Sequence, residues 1–305
     1  MSRILVTGAD GFVGAGLLPR LRRDGHEIRA NERRSGGVAL GPTADWSRAL
    51  EGADAVIHLA ARVHVTREDS HDPLSAFRCA NAEGTARLAA QAEAAGVRRF
   101  VLMSSVKAAA ETSPGRKLVE SDPAEPRTPY GISKREAELA LAASARRMET
   151  VVLRPPLVYG PGVGANFRAL LRLVDSGLPL PLASVRNARS LIARDNLVDA
   201  IAIALVAPSV VGGTFYLADG WSLSTPDLVR ALAAALARPV RLIGFPTPVL
   251  KASARLIGKG EAAESLLGSL EIDDGVFRAM TGWVPPLNQA DAFRLVADWW
   301  RNFLV

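Results

Sequence analysis

The sequence predicts an α/β fold: a doubly wound parallel sheet with a smaller α/β C-terminal lobe. Three observations carry this expectation. Short apolar runs alternate with longer segments of helical spacing through the first half, a glycine-rich turn joins the first run to the first helical segment, and after Leu153 proline and glycine break the alternation. Strand–helix alternation of this kind favours parallel strands joined by right-handed crossovers, with helices on both faces.

Taken in order, Arg3–Val6, Glu27–Ala30, Ala55–Leu59, Phe100–Met103 and Val151–Leu153 read as buried strands. Val13–Arg23, Ala76–Ala95 and Pro129–Arg147 read as the intervening helices. Arg154-Pro155-Pro156 and Gly160-Pro161-Gly162 then interrupt the pattern. Beyond them, Thr214–Ala218 and Pro239–Ile243 have strand character and Pro226–Ala237 helical character. The expected division is a dinucleotide-binding domain over 1–155, with segments returning to it around 190–220, and a substrate-binding lobe over most of 156–305.

Composition narrows the class. At 305 residues, 49% hydrophobic and 22% charged, the chain is long enough for one or two well-cored domains and is not disordered. Its single cysteine, Cys79, excludes an internal disulfide, and no Cys/His spacing points to a metal site. The chain enters an apolar strand at once, and no uncharged apolar run approaches the roughly 18 residues of a membrane span, so a cytoplasmic protein without signal peptide or integral membrane segment is expected. The segment Val249–Lys259 spaces Lys251, Arg255 and Lys259 by four and reads as the solvated face of a packed helix rather than a membrane-lying one. The net charge of +6 calls for an anionic partner. Basic residues are scattered without an aromatic–basic platform, which argues against nucleic acid.

The turn Thr7-Gly8-Ala9-Asp10-Gly11-Phe12-Val13-Gly14 sits between the first strand and first helix. Glycine at every third position permits a tight turn and close approach of backbone to a pyrophosphate, which the helix N-terminus would meet with free N–H groups. With strand before and helix after, this is the Rossmann-like dinucleotide pattern, and Gly8, Gly11, Phe12, Val13 and Gly14 are its expected cofactor contacts. Glu32, 18 residues past Gly14, stands where a carboxylate binds ribose hydroxyls; Arg33 and Arg34 stand where a 2′-phosphate would be gripped. NAD or NADP is therefore expected, with Glu32 favouring NAD. Tyr130 and Lys134, four apart on one helix face, can act together, because an ammonium beside a phenol favours the phenolate and lets it take a proton from a hydroxyl. Ser104-Ser105 ends the strand that precedes them.

Together with Asp54–Ala61, Asn81, Gly84-Thr85, Leu153–Pro155, Val158–Pro161, Arg189–Leu191, Tyr216–Gly220 and Gly282–Pro285, these motifs resemble the extended short-chain dehydrogenase/reductases of the NAD-dependent epimerase/dehydratase, UDP-glucose 4-epimerase-like, family. The resemblance implies an oxidoreductase acting at C4 of a UDP-sugar. Tyr130 would be the acid/base, and Lys134 would hold the nicotinamide ribose and tune Tyr130. Ser105 would bond the reacting oxygen, with Ser104 and Lys107 beside the substrate. Leu59, Ala60, Ala61, Asn81 and Pro156 would border the cofactor, Asn81 in a structural role. Asn166 would approach the substrate and Arg189 its diphosphate, with Arg186 and Arg194 as lesser candidates and Tyr159 near the sugar or nicotinamide. His58 is expected to be structural, while His64 and His71 carry no role.

Dehydratases of this family place Asp-Glu after the serine. Here Val106 and Lys107 stand there, which argues against 4,6-dehydration. The stretch Met103–Lys107 with Glu111 looks most like 4-ketoreductases forming UDP-N-acetylquinovosamine for surface polysaccharide, although Ala108-Ala109-Ala110 departs from that pattern. The expectation is a 4-ketoreductase of a UDP-4-keto-6-deoxy sugar. The alternative is a UDP-glucose or UDP-GlcNAc 4-epimerase with tightly held NAD, and more remotely a non-catalytic NAD(P)-sensing protein. A homodimer is compatible with the resemblance.

Overall fold

The computed structural model describes residues 1–63, 72–113, 115–256, 258 and 260–303; His64, His71 and Lys259 lie outside the described residues. In chain order the elements are β1 (Arg3–Thr7), α1 (Phe12–Arg23), β2 (Glu27–Asn31), α2 (Ser47–Leu50), β3 (Ala55–His58), α3 (Pro73–Phe77), α4 (Gly84–Ala94), β4 (Arg99–Met103), α5 (Pro129–Ser144), β5 (Glu149–Arg154), β6 (Leu157–Tyr159) and α6 (Ala165–Asp175). They continue with β7 (Arg189–Ala193), α7 (Arg194–Val206), β8 (Thr214–Tyr216), β9 (Ser222–Leu223), α8 (Thr225–Leu236), α9 (Thr247–Leu256), α10 (Gly260–Leu267), α11 (Gly275–Thr281) and α12 (Gln289–Phe303).

Six parallel strands form the main sheet in the order β2-β1-β3-β4-β5-β8. Alternation along each strand sends side chains to two different cores. Ile4, Val6, Ile57, Val101 and Leu153 pack with Leu17 and Leu21 of α1 and Leu197 and Ile201 of α7. Leu5, Val56, Phe100 and Leu102 pack on the other face with Trp46, Leu88 of α4 and Leu141 of α5. Both faces are thus covered, which is why these runs read as continuously apolar. A third core, around Phe167, Leu171, Leu232, Phe293 and Trp300, belongs to the second lobe.

Several sequence expectations are corrected. The run at Glu27–Ala30 is an edge strand and mostly exposed, because β2 pairs only with β1. The helix expected over Ala76–Ala95 forms, but not as one regular α-helix: α3 runs into a π-helical stretch, Arg78–Glu83, which continues directly into α4. Pro239–Ile243 is not a strand. Leu242 makes one isolated bridge with Leu180, with backbone bonds from Leu180 to Arg241 and from Ile243 back to Leu180, and proline at 239 and 246 stops further pairing. The three-stranded sheet β6-β7-β9 was not expected, its first strand lying between Pro156 and Pro161; β6 and β7 are parallel, β7 and β9 antiparallel. Lys251 and Arg255 on α9 both reach Glu264 of α10, and α9 has no buried residue. Among the described residues no helix is long and apolar enough to cross a membrane.

Candidate active site

The glycine turn is built around backbone contact. Gly8 has φ +68°, and a Cβ there would lie 2.8 Å from the Ala60 nitrogen; a Cβ on Gly14 would lie 2.5 Å from the Gly8 and Ala9 carbonyl oxygens. Gly11 caps α1 without a side-chain bond, and the first turn carries no acid. The first N–H groups of α1 thus have no side-chain cap of their own, as a helix start that meets an anion would. These residues fit a dinucleotide pyrophosphate. Val13 packs against the main core, while Phe12 turns to the cavity, with the Arg194 guanidinium 5.7 Å over its ring.

The segment after β3 is fastened to this turn. The Ala60 amide donates to Thr7 Oγ1 at 3.3 Å and the Leu59 amide to the Thr7 carbonyl. His58 is buried between Thr7 Oγ1, 2.6 Å from Nδ1, and Thr85 Oγ1, 3.0 Å from Nε2; burial, with the Lys134 charge nearby, pulls its pKa down to about 3, so it is a neutral bridge. Asn81 holds Arg62 by both backbone groups, at 2.8 and 3.0 Å, and donates to Ser133 Oγ at 3.0 Å. At the end of β2, Glu32 accepts from Ser35 Oγ at 3.0 Å, and Asn31 brackets the backbone of Val38. Arg33 and Arg34 are exposed.

The chemistry-bearing groups meet where β4 ends and α5 begins. Ser105 Oγ accepts from the Lys107 amide at 3.2 Å, starting a short 3-10 turn. Thr128 caps α5 by accepting from Gly131, and Glu111 fixes Thr128 in turn, accepting from its amide at 3.1 Å and its hydroxyl at 2.8 Å. Gly131 lies so close to the Lys107 carbonyl that a side chain there would clash. This brings Tyr130, in the first turn of α5, against the Ser105 turn. Burial pushes the Tyr130 phenol up to about 12, and a hydrogen bond with Ser105 acts in the opposite sense. Lys134 Nζ donates to the Met103 carbonyl at 2.6 Å, and burial lowers its pKa to about 8 against the raising influence of Glu138. The expected lowering of Tyr130 by Lys134 does not appear: burial raises the phenol, and the bond with Ser105 is what acts against it.

A cavity of about 380 Å³ opens over this point. Its wall brings together Phe12, Ser105, Lys107, Tyr130, Pro156, Asn166 and Arg189, from both lobes. Among the described residues no Asp or Glu lines it. Asn166 is the second residue of α6. Arg189, opening β7, donates from Nη1 to the Gly268 carbonyl at 2.9 Å, while its buried Nε has no partner among the described residues, and desolvation lowers its pKa to about 10.

Other expected residues go elsewhere. Ser104 turns away from the cavity and donates to Glu138 at 2.5 Å. Tyr159 is fully buried core, stacked on Phe167 and donating to Asp219 at 3.0 Å. Arg194 binds the Pro161 carbonyl at 2.7 Å, and Arg186 is exposed. Sequence reasoning missed the wall given by Ser224, Thr225 and Leu228 at the start of α8 and by Ser265 and Leu266 on α10. It also missed Asn187, which gathers Thr225, Leu266 and Gly268 by hydrogen bonds. The available signal was Ser224-Thr225-Pro226-Asp227, a helix start with Ser224 as cap.

A parallel sheet with a glycine-turn dinucleotide cradle, and a tyrosine and serine facing one cavity with a lysine anchored behind them, define an NAD(P)-using enzyme of the extended short-chain dehydrogenase/reductase class. Residues 4–218 match the model of the NAD dependent epimerase/dehydratase family. The chain belongs to that family. It is 37% identical to a UDP-glucose 4-epimerase of Vibrio cholerae, over 97% of this chain and 94% of that protein. Among solved structures it is similar to the Thermus thermophilus UDP-glucose 4-epimerase complex with NAD, at TM-score 0.78 and 22% identity, covering 98% of this chain and 99% of that one. It is also similar to the Thermotoga maritima UDP-glucose 4-epimerase with UDP-glucose, at TM-score 0.77 and 20% identity, covering 99% and 100%.

Proposed function

We propose that the protein is a UDP-hexose 4-epimerase that keeps its NAD through turnover. The carrying observation is one cavity whose wall holds Tyr130, Ser105 and the under-satisfied Arg189, in a chain similar along its length to a UDP-glucose 4-epimerase. The 4-ketoreductase reading has no comparable support among the relatives.

Bound NAD supplies a hydride acceptor, and later donor, for the sugar C4. Tyr130 Oη, as the phenolate, takes the proton of the C4 hydroxyl and later returns it; the positive charge of bound NAD, with that of Lys134, would offset the burial that keeps the phenol protonated without cofactor. Ser105 Oγ, beside that phenol, holds the sugar oxygen as its charge changes. Lys134, fixed on the Met103 carbonyl, presents an ammonium to the nicotinamide ribose and to the site as a whole. Arg189 offers its free Nε–H to the diphosphate, whose charge replaces what burial denies the guanidinium. Asn166 and Lys107 flank the sugar. NAD is favoured over NADP because Glu32, at the ribose end, would repel a 2′-phosphate.

Incubation with UDP-glucose and no added cofactor, followed by NMR, is the direct test. Appearance of UDP-galactose supports the epimerase; stoichiometric NAD(P)H consumption with a UDP-4-keto-6-deoxy sugar and no epimer would overturn it in favour of the ketoreductase. Tyr130→Phe should lower turnover by roughly 10²–10⁴-fold with NAD affinity unchanged, and full activity in that variant would remove Tyr130 from the proton transfer.

A further inference from the structure

One buried carboxylate near the catalytic groups has no part in the chemistry just described. Glu138 lies one turn beyond Lys134 on α5 and accepts four hydrogen bonds: from Ser104 Oγ at 2.5 Å, Arg154 Nε at 2.9 Å, Arg154 Nη2 at 2.6 Å and Arg135 Nη1 at 3.0 Å. Both Glu138 and Arg154 are 4% exposed. Burying an ion pair costs several kcal/mol per ion before the attraction returns it, so an apolar pair of like volume would stabilise the fold at least as well. The partners indicate what the charge is for.

Ser104 lies between Met103, whose carbonyl anchors Lys134 Nζ, and Ser105, which faces Tyr130. The Ser104 amide is itself bonded to the Leu153 carbonyl at 2.8 Å. Arg154 ends β5, and the next residue, Pro155, accepts from the Val106 amide at 2.9 Å before Pro156 reaches the cavity wall. Glu138 therefore touches, at one point, the strand end that carries the serine and the lysine anchor, the strand end that leads to the cavity wall, and the helix that carries the tyrosine and lysine.

We propose that Glu138, through Ser104 and Arg154, is the positioning residue that sets the spacing among Ser105, Tyr130 and Lys134 and sustains the ammonium form of Lys134. Around Lys134 the facing ionisable groups are Tyr130 and Glu138 on its own helix and His58 on β3, with Arg154 of β5 behind Glu138. His58 is neutral and Tyr130 is held as the phenol, so Glu138 is the anion acting on Lys134 among the described residues.

The test measures NAD affinity by fluorescence titration from pH 6 to 9.5, and kcat for UDP-glucose epimerisation, in the wild type, Glu138→Gln, Glu138→Gln/Arg154→Met and Ser104→Ala. Loss of the ammonium weakens NAD binding as pH rises through the Lys134 value of about 8. Removing the anion lowers that value, so the midpoint should fall by about one pH unit in Glu138→Gln and stay lowered in the double variant. Misplacement of the serine should lower kcat by roughly 10–100-fold, with KM changed less than about threefold. The double variant does not strand the Arg154 charge and serves if Glu138→Gln does not fold. Ser104→Ala removes one ligand without unpairing Arg154, and should lower kcat by about threefold to tenfold. Folded variants with an unshifted NAD profile and wild-type kcat would overturn the proposal. Only the kcat readout rests on the epimerase reading. A shifted NAD profile in a protein that epimerises nothing would sink that reading and leave the positioning role standing.

Discussion

Two arginines, Arg154 buried behind Glu138 and the partly buried Arg189 in the cavity wall, divide scaffold from site. Arg154 gives a bidentate pair to Glu138 and lies 5.8 Å over the Tyr216 ring. Arg189 has one backbone carbonyl and an Nε that nothing meets. The first charge is answered inside the protein, and its pKa is raised; the second is left partly unanswered, and its pKa falls. A guanidinium that the fold has desolvated without an anion is a standing preference for one that arrives from outside.

The contrast can be broken most directly by one substitution at each site. Arg154→Met strands the Glu138 carboxylate and should cost about 3–5 kcal/mol of stability, read as the urea midpoint. Arg189→Met removes an uncompensated charge, so stability should hold or rise, while the Kd for UDP should weaken by roughly 10–100-fold, as expected for a lost charge-assisted bond. Equal destabilisation by both variants would end the distinction.

Asp219 sharpens it with the opposite sign of charge. Its carboxylate is bonded to Tyr159, Asn196 and the Ala193 amide but, among the described residues, to no cation in salt-bridge geometry, and burial raises its pKa to about 6. A carboxyl raised above its unfolded value contributes stability that is complete below about pH 4 and lost as pH rises through 6. Relative to Asp219→Asn, wild-type stability should therefore decline by on the order of 1–2 kcal/mol between pH 4 and 6.5 and then level off. A difference that grows with pH would mean that Asp219 is answered as fully as Glu138.

What the sequence made legible followed from how local each device is. The cradle at Gly8–Gly14 is a turn between neighbouring elements, and Tyr130 and Lys134 share one helix face, so spacing alone displayed them. The long apolar strands β1, β3, β4 and β5 announced themselves because both faces are buried. The web of Ser104, Glu138 and Arg154 spans 34 and 16 residues and exists only after the sheet assembles. Asn187 is likewise a meeting of three distant segments. β6 and β9 are too short, at three and two residues, for a period to appear, and prolines surround β6. Ser104 beside Ser105 shows the same limit at closest range: adjacent strand residues point to opposite faces, and only the assembled sheet says which face has the cavity.

The π-helical stretch before α4 has a consequence for how this chain can vary. It holds one residue more per turn than a regular helix allows, and Asn81 sits inside it. Excising one of its residues other than Asn81 would give a smoother, locally better helix and would turn Asn81 by about 100° relative to the helix on the far side of the deletion. Arg62 and Ser133 would then lose their shared partner. The surplus residue acts as a register key, so in this segment substitutions should be far better tolerated than a change of length.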